Sequence, residues 1–274
     1  MAPTTGPGRT AARPPRRLPR LTLLLLMAGW LVASPARAEV ARVVEVVDGD
    51  TVVLASGDQV RLVGIQAPKL PLGRPGFVAW PLAAEARAAL ARLVLDREVR
   101  LAFDGRRVDR HGRLLAHLED SAGLWIQGEL VALGMARVYS FADNRARTPE
   151  LLLLERQARA AGRGIWGDSP ALRAFYAVRD APETPQFIDT FQLVEGRVLA
   201  VATVRNRTYL NFGADWQSDF TVTFDRAAGR LFAEAGLAPE SLEGRRIRTR
   251  GWIDERNGPV IEVSHPELIE LLEP

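Results

Sequence analysis

Two aspartates and an arginine near the start of the chain have the residue types and spacing best suited to chemistry. Asp48 and Asp50 flank a glycine, and Arg61 follows eleven residues after Asp50. Side chains alternate along an extended chain, so both carboxylates should lie on one side of the backbone, and Gly49 permits a turn there. Paired carboxylates attract a cation, and a guanidinium binds phosphate oxygens. The stretch therefore predicts a site for a phosphate group.

The elements that must position these residues are short β-branched runs separated by glycine turns. In order, we predict strands at 41–47, 51–54 and 59–65, a loop at 68–81, a helix from there to about 95, strands at 98–103 and 114–118, and helices at 126–133 and 149–161. The two aspartates fall in the first turn of this meander, and Arg61 falls in its third strand.

A second group of elements follows a segment at 168–189, which contains three prolines, has no sustained periodicity and is interpreted as a linker. Beyond it the pattern predicts three strands, a helix and two strands. This is the element order of an OB-fold, a small barrel that often binds oligonucleotides. We therefore predict a second, smaller OB-like barrel at 190–274.

One predicted strand of the second barrel carries Arg246, Arg248, Arg250 and Trp252 on one face, and Tyr209 projects from another strand. Charge along a groove together with stacking rings is how OB-folds hold single-stranded DNA or RNA. These five residues are our candidates for nucleic-acid binding. The alternative is that the arginines are solvated or paired with glutamates, because residues 181–274 carry 10 basic and 15 acidic side chains.

The first 38 residues are interpreted as a secretory signal peptide. Several arginines precede the apolar run Leu21–Ala33, and Ala36-Arg37-Ala38 resembles a cleavage site. The run is shorter than the roughly 20 residues of a membrane-spanning helix. We therefore expect export to the periplasm or the medium, with no membrane span in the mature protein. No disulfides are possible, because the chain has no cysteine.

Removal of this segment changes the charge balance. The whole chain has a net charge of +3, but the first 38 residues hold six arginines and no acid, so residues 39–274 carry 30 basic and 33 acidic side chains. Binding of a polyanion must therefore depend on local clusters and not on a global field.

Four stretches of the chain form a specific combination: Val47-Asp48-Gly49-Asp50-Thr51, Val60-Arg61-Leu62-Val63-Gly64-Ile65, Ala67-Pro68, and Asp109-Arg110-His111-Gly112-Arg113-Leu114-Leu115-Ala116. Through these motifs, residues 41–167 resemble the staphylococcal nuclease (thermonuclease) family. The resemblance implies an OB barrel with three helices and calcium-dependent hydrolysis of DNA and RNA. By the same resemblance, Asp50 matches a carboxylate that holds the metal, and Arg61 and Arg113 match the two arginines that bind the phosphate.

Two positions depart from the family pattern. Where the family has an aspartate that binds the metal and a glutamate that acts as base, this chain has Gln66 and Lys69, and Lys69 is its only lysine. The family's three acids would sum to −3, whereas Asp50, Gln66 and Lys69 sum to zero without a metal. Asp50 and Gln66 thus occupy the family's metal positions in a degenerate form. Our candidates at the catalytic positions are Arg61, Lys69 and Arg113.

Three hypotheses follow for this site. In the first, it is a remnant in which Lys69 pairs with Asp50. In the second, the ammonium replaces the metal, and Lys69, Arg61 and Arg113 bind phosphate without hydrolysis. In the third, hydrolysis survives with another group as the base. Lys69 could be that base only if the two arginines lowered its pKa strongly.

The predicted fold class is mainly β, with a staphylococcal-nuclease-type OB barrel and three helices followed by a second OB-like barrel. The predicted organisation is a signal peptide at 1–38, a thermonuclease-like domain at 39–167, a linker at 168–189 and an OB-like domain at 190–274. We expect binding of nucleic acid or another phosphate-bearing ligand, weak or absent hydrolysis, and no cofactor unless calcium-dependent activity is retained. The alternatives are an active secreted calcium-dependent nuclease and a non-catalytic envelope scaffold.

Overall fold

A meander of three strands opens the part of the chain that the computed structural model describes, residues 39–272. The predicted signal peptide lies outside the described residues. The elements up to residue 160 are strands β1 (Glu39–Asp48), β2 (Thr51–Leu54), β3 (Gln59–Leu62) and β4 (Ile65–Gln66), helix α1 (Ala83–Val94), strands β5 (Glu98–Ala102) and β6 (Leu114–Glu119), helix α2 (Ile126–Ala132), strand β7 (Arg137–Val138) and helix α3 (Thr148–Ala160).

Five of these strands close into a barrel in the order β1-β2-β3-β6-β5. Strand β3 is antiparallel to β2 and parallel to β6. Alternate residues point inward, so that Val60 and Leu62 of β3 are fully buried while Gln59 is exposed. Helix α1 adds Ala86 and Leu90 to the same core, and α2 and α3 complete it. This confirms the OB barrel with three helices that the sequence predicts.

The predicted third strand, 59–65, is broken after Leu62. Gly64 has a φ of 79°, a left-handed conformation that favours glycine. The chain therefore leaves the barrel, and Ile65–Gln66 pairs with Arg137–Val138 in a separate two-stranded sheet. The departure brings the chain back over the acidic turn, with the backbone N–H of Ala67 donating to Asp50 Oδ2 at 2.8 Å.

The segment at 168–189, expected to be a linker, is folded. It contains helix α4 (Pro170–Tyr176), strand β8 (Arg179–Asp180) and a 3-10 helix at Ala181–Phe187. The helix begins where the Ser169 side chain accepts a hydrogen bond from the N–H of Leu172, with Pro170 at its first position. This Ser-Pro start is readable in the sequence, but the short helix that follows lacks an obvious period.

The second barrel is built from strands β9 (Phe191–Arg197), β10 (Ala200–Val204), β11 (Arg207–Asn211) and β12 (Thr221–Asp225), helix α5 (Arg226–Glu234), and strands β13 (Arg246–Glu255), β14 (Pro259–Glu262) and β15 (Ile269–Leu271). Hydrogen-bonded neighbours follow the order β10-β11-β12-β14-β13-β9-β8, and β15 pairs with β13. Strands β12 and β14 are parallel, as β3 and β6 are in the first barrel. Because only Val198 and Leu199 separate β9 from β10, one bent stretch of chain nearly closes this sheet.

The described residues, 39–272, belong to one compact unit. Contacts between the barrels include the Arg145–Glu267 ion pair at 2.7 Å and a hydrogen bond of 3.1 Å from Arg137 to the carbonyl of Phe191. The domain boundaries near 167 and 190 stay a prediction. Within residues 39–272, no helix is long and apolar enough to cross a membrane.

Candidate phosphate-binding site

The two aspartates of the first turn hold the only lysine of the chain. Lys69 Nζ lies 2.7 Å from each carboxylate oxygen of Asp50 and 3.2 Å from Asp48 Oδ2. Asp50 is completely buried, and Asp48 is 5% exposed. The backbone N–H of Asp50 and the hydroxyl of Thr51 also donate to this pair of carboxylates. The cation that the paired carboxylates require is therefore supplied by the protein itself.

The pKa values of the two carboxyl groups move in opposite directions. Burial acts to raise the pKa of Asp50, but Arg61 and Lys69 outweigh it and hold that pKa well below its usual range. Burial, and then the charge of Asp50, raise the pKa of Asp48 above its usual value. Asp50 is thus the permanently charged member of the pair, and Asp48 is the member that binds a proton more readily.

Gly49 is required for space. Its φ is not left-handed, but a Cβ at this position would lie 2.6 Å from Ala67 Cβ and 2.8 Å from Ala86 Cβ. Only glycine lets helix α1 and the segment after β4 approach the acidic turn this closely. The conformational role expected from the sequence is replaced by a packing role.

Arg61 stands between the acidic turn and the open surface. Its guanidinium lies 3.4 Å from Asp50 Oδ2 and donates to the carbonyls of Leu62 and, at 2.6 Å, Ile65. These contacts fix the plane of the guanidinium at the point where the chain leaves the barrel. The geometry is that of a preorganised group and not of a freely moving surface arginine.

Arg113 lies on the other wall of the same cavity. Arg61 and Arg113 both line a cavity of about 480 Å³. Its charged lining residues are four arginines and two aspartates: Arg61, Arg106, Arg110, Arg113, Asp109 and Asp143. Asp109 accepts hydrogen bonds from the backbone N–H and the Nε of Arg113, which orients that side chain. The structure thus brings together the two predicted phosphate-binding arginines in a cavity with excess positive charge.

Aromatic side chains complete this cavity. Tyr139 and Phe141 line it, and Phe141 is 54% exposed. The two rings form an edge contact, with centroids 5.1 Å apart. An exposed ring beside arginines suits the face of a nucleobase. Nothing in the sequence spacing of Tyr139 and Phe141 links them to Arg61 or Arg113, so only the fold places them in this cavity.

Gln66 is turned away from the metal position. Its Oε1 accepts hydrogen bonds from Arg137 at 2.9 Å (Nε) and 2.7 Å (NH2), and Arg137 is 3% exposed. Burial lowers the pKa of Arg137 to about 10, so it remains a cation near neutral pH. Sequence reasoning missed Arg137; an arginine flanked by apolar residues in Gly134-Met135-Ala136-Arg137-Val138 was the available signal.

Calcium, which the family resemblance implies, does not fit this set of groups. Lys69 Nζ lies against both oxygens of Asp50, and Gln66 Oε1 is engaged by a buried arginine. Among residues 39–272, no group of three or more carboxylate or histidine side chains could hold a metal ion. A divalent cation at this place would have to displace or repel two protein cations.

The predicted nucleic-acid-binding face of the second barrel is partly buried, with Arg250 inside the protein and Arg246 half-exposed. Arg250 is 1% exposed and lies 2.8 Å from Glu155 Oε2 and 2.6 Å from Glu270 Oε1. Arg248 and Arg246 pair with Glu195. Burial opposes the charge on Arg250, but Glu155 and Glu270 outweigh it and raise its pKa. Reading this strand as a nucleic-acid surface is wrong for Arg250, because its alternating face packs on helix α3 of the first barrel.

The other two candidates of the second barrel are also separated. Trp252 is 46% exposed, and its Nε1 donates to the hydroxyl of Tyr139 at 3.2 Å, beside the first cavity. Tyr209 lines a different cavity, on strands β11, β12 and β14. The structure therefore does not unite the five residues into one surface.

A closed OB barrel with three helices, an acidic turn and two arginines in one cavity defines a thermonuclease-type protein. Residues 59–168 match the family described as "Staphylococcal nuclease homologue". Protein ParB of Escherichia coli is 37% identical over 164 residues, a match that covers 53% of this chain and 83% of that protein. The chain therefore belongs to the staphylococcal nuclease-like family.

Two further relatives carry nuclease names. The thermonuclease of Staphylococcus hyicus is 27% identical over 143 residues, covering 49% of this chain and 80% of that protein. An uncharacterized endonuclease of Haemophilus influenzae is 32% identical over 156 residues, covering 54% and 78%. These matches confirm the family resemblance. The expectation that this chain has nuclease activity comes from its family.

Proposed function

We propose that the protein binds nucleic acid, or another phosphate-bearing ligand, in the cavity lined by Arg61 and Arg113, and that calcium-dependent hydrolysis is weak or absent. The observation that carries this proposal is the position of Lys69 Nζ, 2.7 Å from both oxygens of Asp50. The arginines retain the geometry for gripping a phosphate, whereas the carboxylates are already neutralised. Binding is supported by the excess of arginine in the cavity lining.

Lys69 acts in this proposal as a tethered cation. It keeps Asp50 charged, a task that a bound metal performs in a calcium-dependent site. An ammonium cannot lower the pKa of a water ligand as a metal does, and no acid stands at position 66 or 69 to serve as base. The site therefore favours binding over hydrolysis.

The competing function is active calcium-dependent cleavage. It is favoured by relatives named thermonuclease and endonuclease. A third alternative, in which both barrels serve only as an envelope scaffold, predicts no binding in the first cavity.

A single assay separates these functions. A fluorescent single-stranded oligonucleotide is incubated with the protein in calcium or in chelator, and binding and cleavage are recorded together. We expect salt-sensitive binding that is equal in both buffers, with little cleavage.

Arg113→Ala should weaken binding of the oligonucleotide about tenfold. The matched control is Arg42→Ala, an exposed arginine also paired with an aspartate, whose binding should be unchanged. Robust cleavage that chelator abolishes would overturn the proposal, and absence of binding would favour the scaffold.

We further propose that the protein is exported and cleaved before Glu39. The support is the order of basic, apolar and small residues in the first 38 positions. N-terminal sequencing of protein recovered from the periplasm or medium tests it. A chain that begins at Met1 or stays in the cytoplasm would contradict it.

A further inference from the structure

The second barrel has an open groove on the sheet face formed by strands β11, β12 and β14. Its volume is about 660 Å³. Thr221, Thr223 and Val260 form a buried floor, and Tyr209 projects from β11 into the groove. When β9 and β10 are counted as one bent strand, β11 and β12 are the second and third strands of the barrel, the face on which OB-folds bind extended ligands. It is not the face of β13 that packs on the first barrel.

One wall of the groove is an exposed tryptophan on an ordered loop. Trp216 is 57% exposed. The Asp215 carboxylate accepts hydrogen bonds from the backbone N–H of Gln217 and the hydroxyl of Ser218, and Asp219 accepts from the backbone N–H of Asp215 at 2.8 Å. The indole is therefore presented to solvent by a fixed turn. A large aromatic ring that is exposed and preorganised loses little entropy when a ligand stacks on it.

The turn between β13 and β14 adjoins this loop, because β12 and β14 are parallel neighbours. Arg256 and Asn257 line the groove there. Gly258 has a φ of 83°, and a Cβ on it would lie 2.6 Å from the carbonyl oxygen of Ser218. The loop and the turn thus touch each other at Gly258. This contact fixes the position of the loop that carries Trp216 relative to the turn that carries Arg256.

The polar groups of the groove are only partly satisfied. Arg207 and Arg256 share the carboxylate of Glu262, each at about 3 Å, and Arg256 also lies 3.5 Å from Asp254, so these two arginines face two carboxylates. An adjoining depression of about 390 Å³ adds Arg205 and Asp225. Asp225 is engaged as the cap of α5, accepting from the N–H of Ala228. Among the described residues, the hydroxyl of Tyr209 and the amide of Asn257 form no hydrogen bond.

We infer that this groove is a second nucleic-acid site, which binds a single-stranded oligonucleotide by stacking bases on Trp216 and Tyr209 and by holding phosphates with Arg205, Arg207 and Arg256. Rings interleaved with arginines match the requirements of a flexible polyanion with flat bases. A neutral sugar would use the rings but not three guanidinium groups. The inference shares its ligand class with the proposed function, but none of its residues.

Fluorescence anisotropy of a labelled oligo-dT of about 12 nucleotides, a length within the usual OB-fold site size, tests the inference on the full protein. Trp216→Ala and Arg256→Ala should each weaken binding about tenfold, and Arg256→Ala should flatten the salt dependence by about one phosphate contact. Arg230→Ala, an exposed arginine on α5 outside the groove, is the charge-matched control. Circular dichroism confirms that each variant is folded.

The same series in an Arg113→Ala background separates the two sites, because distant sites contribute additively. Loss on Trp216→Ala without loss on Arg113→Ala supports the groove and refutes the first cavity; the reverse pattern refutes the groove. Titration with a neutral oligosaccharide such as cellotetraose is the second arm. Trp216-dependent binding of that sugar, with oligonucleotide binding unchanged in Trp216→Ala, would overturn the nucleic-acid assignment.

Discussion

At the scale of single residues, the acidic turn is a buried charge cluster that is closed by one lysine. Asp50 has no exposed surface, yet it remains charged because Lys69 and Arg61 both lie within 3.4 Å of its oxygens. Asp48 is the less stable carboxylate of the two, because burial and the charge of Asp50 raise its pKa. Removal of the lysine would leave two carboxylates competing for one arginine in a low-dielectric site.

Replacing this lysine should therefore convert the site into a weak cation site. We expect Lys69→Ala to lower the free energy of unfolding by about 2–3 kcal/mol, at the lower end for a broken buried pair because Lys69 retains partial exposure. Calcium should then raise the melting temperature of this variant but not of the unmodified protein. Arg74→Ala is the control, because Arg74 lies in the same loop, donates hydrogen bonds to backbone carbonyls, stacks on Phe77 and has no contact with the two aspartates. Calcium stabilisation of the unmodified protein would show that Lys69 does not block the site.

Restoring both acids tests whether the frame is still a nuclease frame. Gln66→Asp with Lys69→Glu should produce calcium binding and calcium-dependent cleavage of single-stranded DNA, whereas Gln66→Asp alone should not, because Lys69 still occupies the carboxylates. Isothermal titration with calcium measures the first step, and product analysis measures the second. Failure of the double variant to bind calcium would contradict this prediction. It would mean that the buried Arg137, which binds Gln66, also pairs with the new aspartate and keeps it from the metal.

At the scale of elements, strand β13 shows how one alternating pattern can serve two purposes. Its arginines at 246, 248 and 250 share a face, as the sequence predicts, but they form a gradient from half-exposed to buried. Arg250 meets Glu155 of α3 and Glu270 of β15, so one guanidinium links three elements. At Arg250 the strand is therefore a joint between the barrels and not a surface open to a ligand.

Loss of this joint should be costly. Arg250→Ala removes the nearest cation from the buried Glu155 and Glu270 and leaves them the longer contacts to Arg159, at 3.8 and 4.0 Å. We therefore expect a loss of about 3 kcal/mol in the free energy of unfolding, the lower end for a broken buried pair. Arg246→Ala, whose side chain is 48% exposed, should cost less than about 1 kcal/mol. Urea unfolding of both variants measures the difference. Equal effects would mean that burial of Arg250 does not control the stability of the interface.

At the scale of the whole molecule, a buried histidine joins the two barrels. His265 is completely buried, with Nε2 at 2.8 Å from the hydroxyl of Ser140 and Nδ1 at 3.0 Å from that of Ser264. Burial, and then the charge of Arg145, lower the pKa of His265 to about 4. The folded protein therefore keeps this ring neutral under conditions in which the unfolded chain would protonate it.

The lowered pKa of His265 predicts a smaller free energy of unfolding in mild acid. Because the folded pKa is lowered, the stabilisation is fully present above the unfolded pKa of roughly 6.5 and is lost as pH falls towards the folded value. The contribution of His265 should fall by about 2 kcal/mol between about pH 7 and about pH 5. His265→Asn should remove that part of the pH dependence in urea unfolding experiments. Asp48, whose raised pKa acts in the opposite sense, is present in both proteins and cancels in the comparison. An unchanged slope would contradict the assignment.

The first barrel was largely predictable because its signals are local. Turn residues and β-branched runs fixed the strand order, and Asp50, Arg61 and Arg113 stood in motifs specific enough to name the family. The second barrel was predictable only in outline. The sequence predicts three strands, a helix and two strands, whereas the structure has four strands before α5 and three after it, because the chain bends at Val198 and Leu199 and β15 adds a short last strand. The fold of 168–189 was missed because its helix is only seven residues long, too short for a hydrophobic period.

Amino-acid types and spacing alone thus determined the barrel, the family and the substitution of Gln66 and Lys69 at the metal and base positions. The tertiary structure decided where the charges go. It placed Lys69 between two buried aspartates, turned Gln66 towards Arg137 and buried Arg250 between the barrels. Such pairings join residues that are distant in the chain, so no periodicity records them; only the approach of the two packed barrels selects which arginines are buried and which are left open to a ligand.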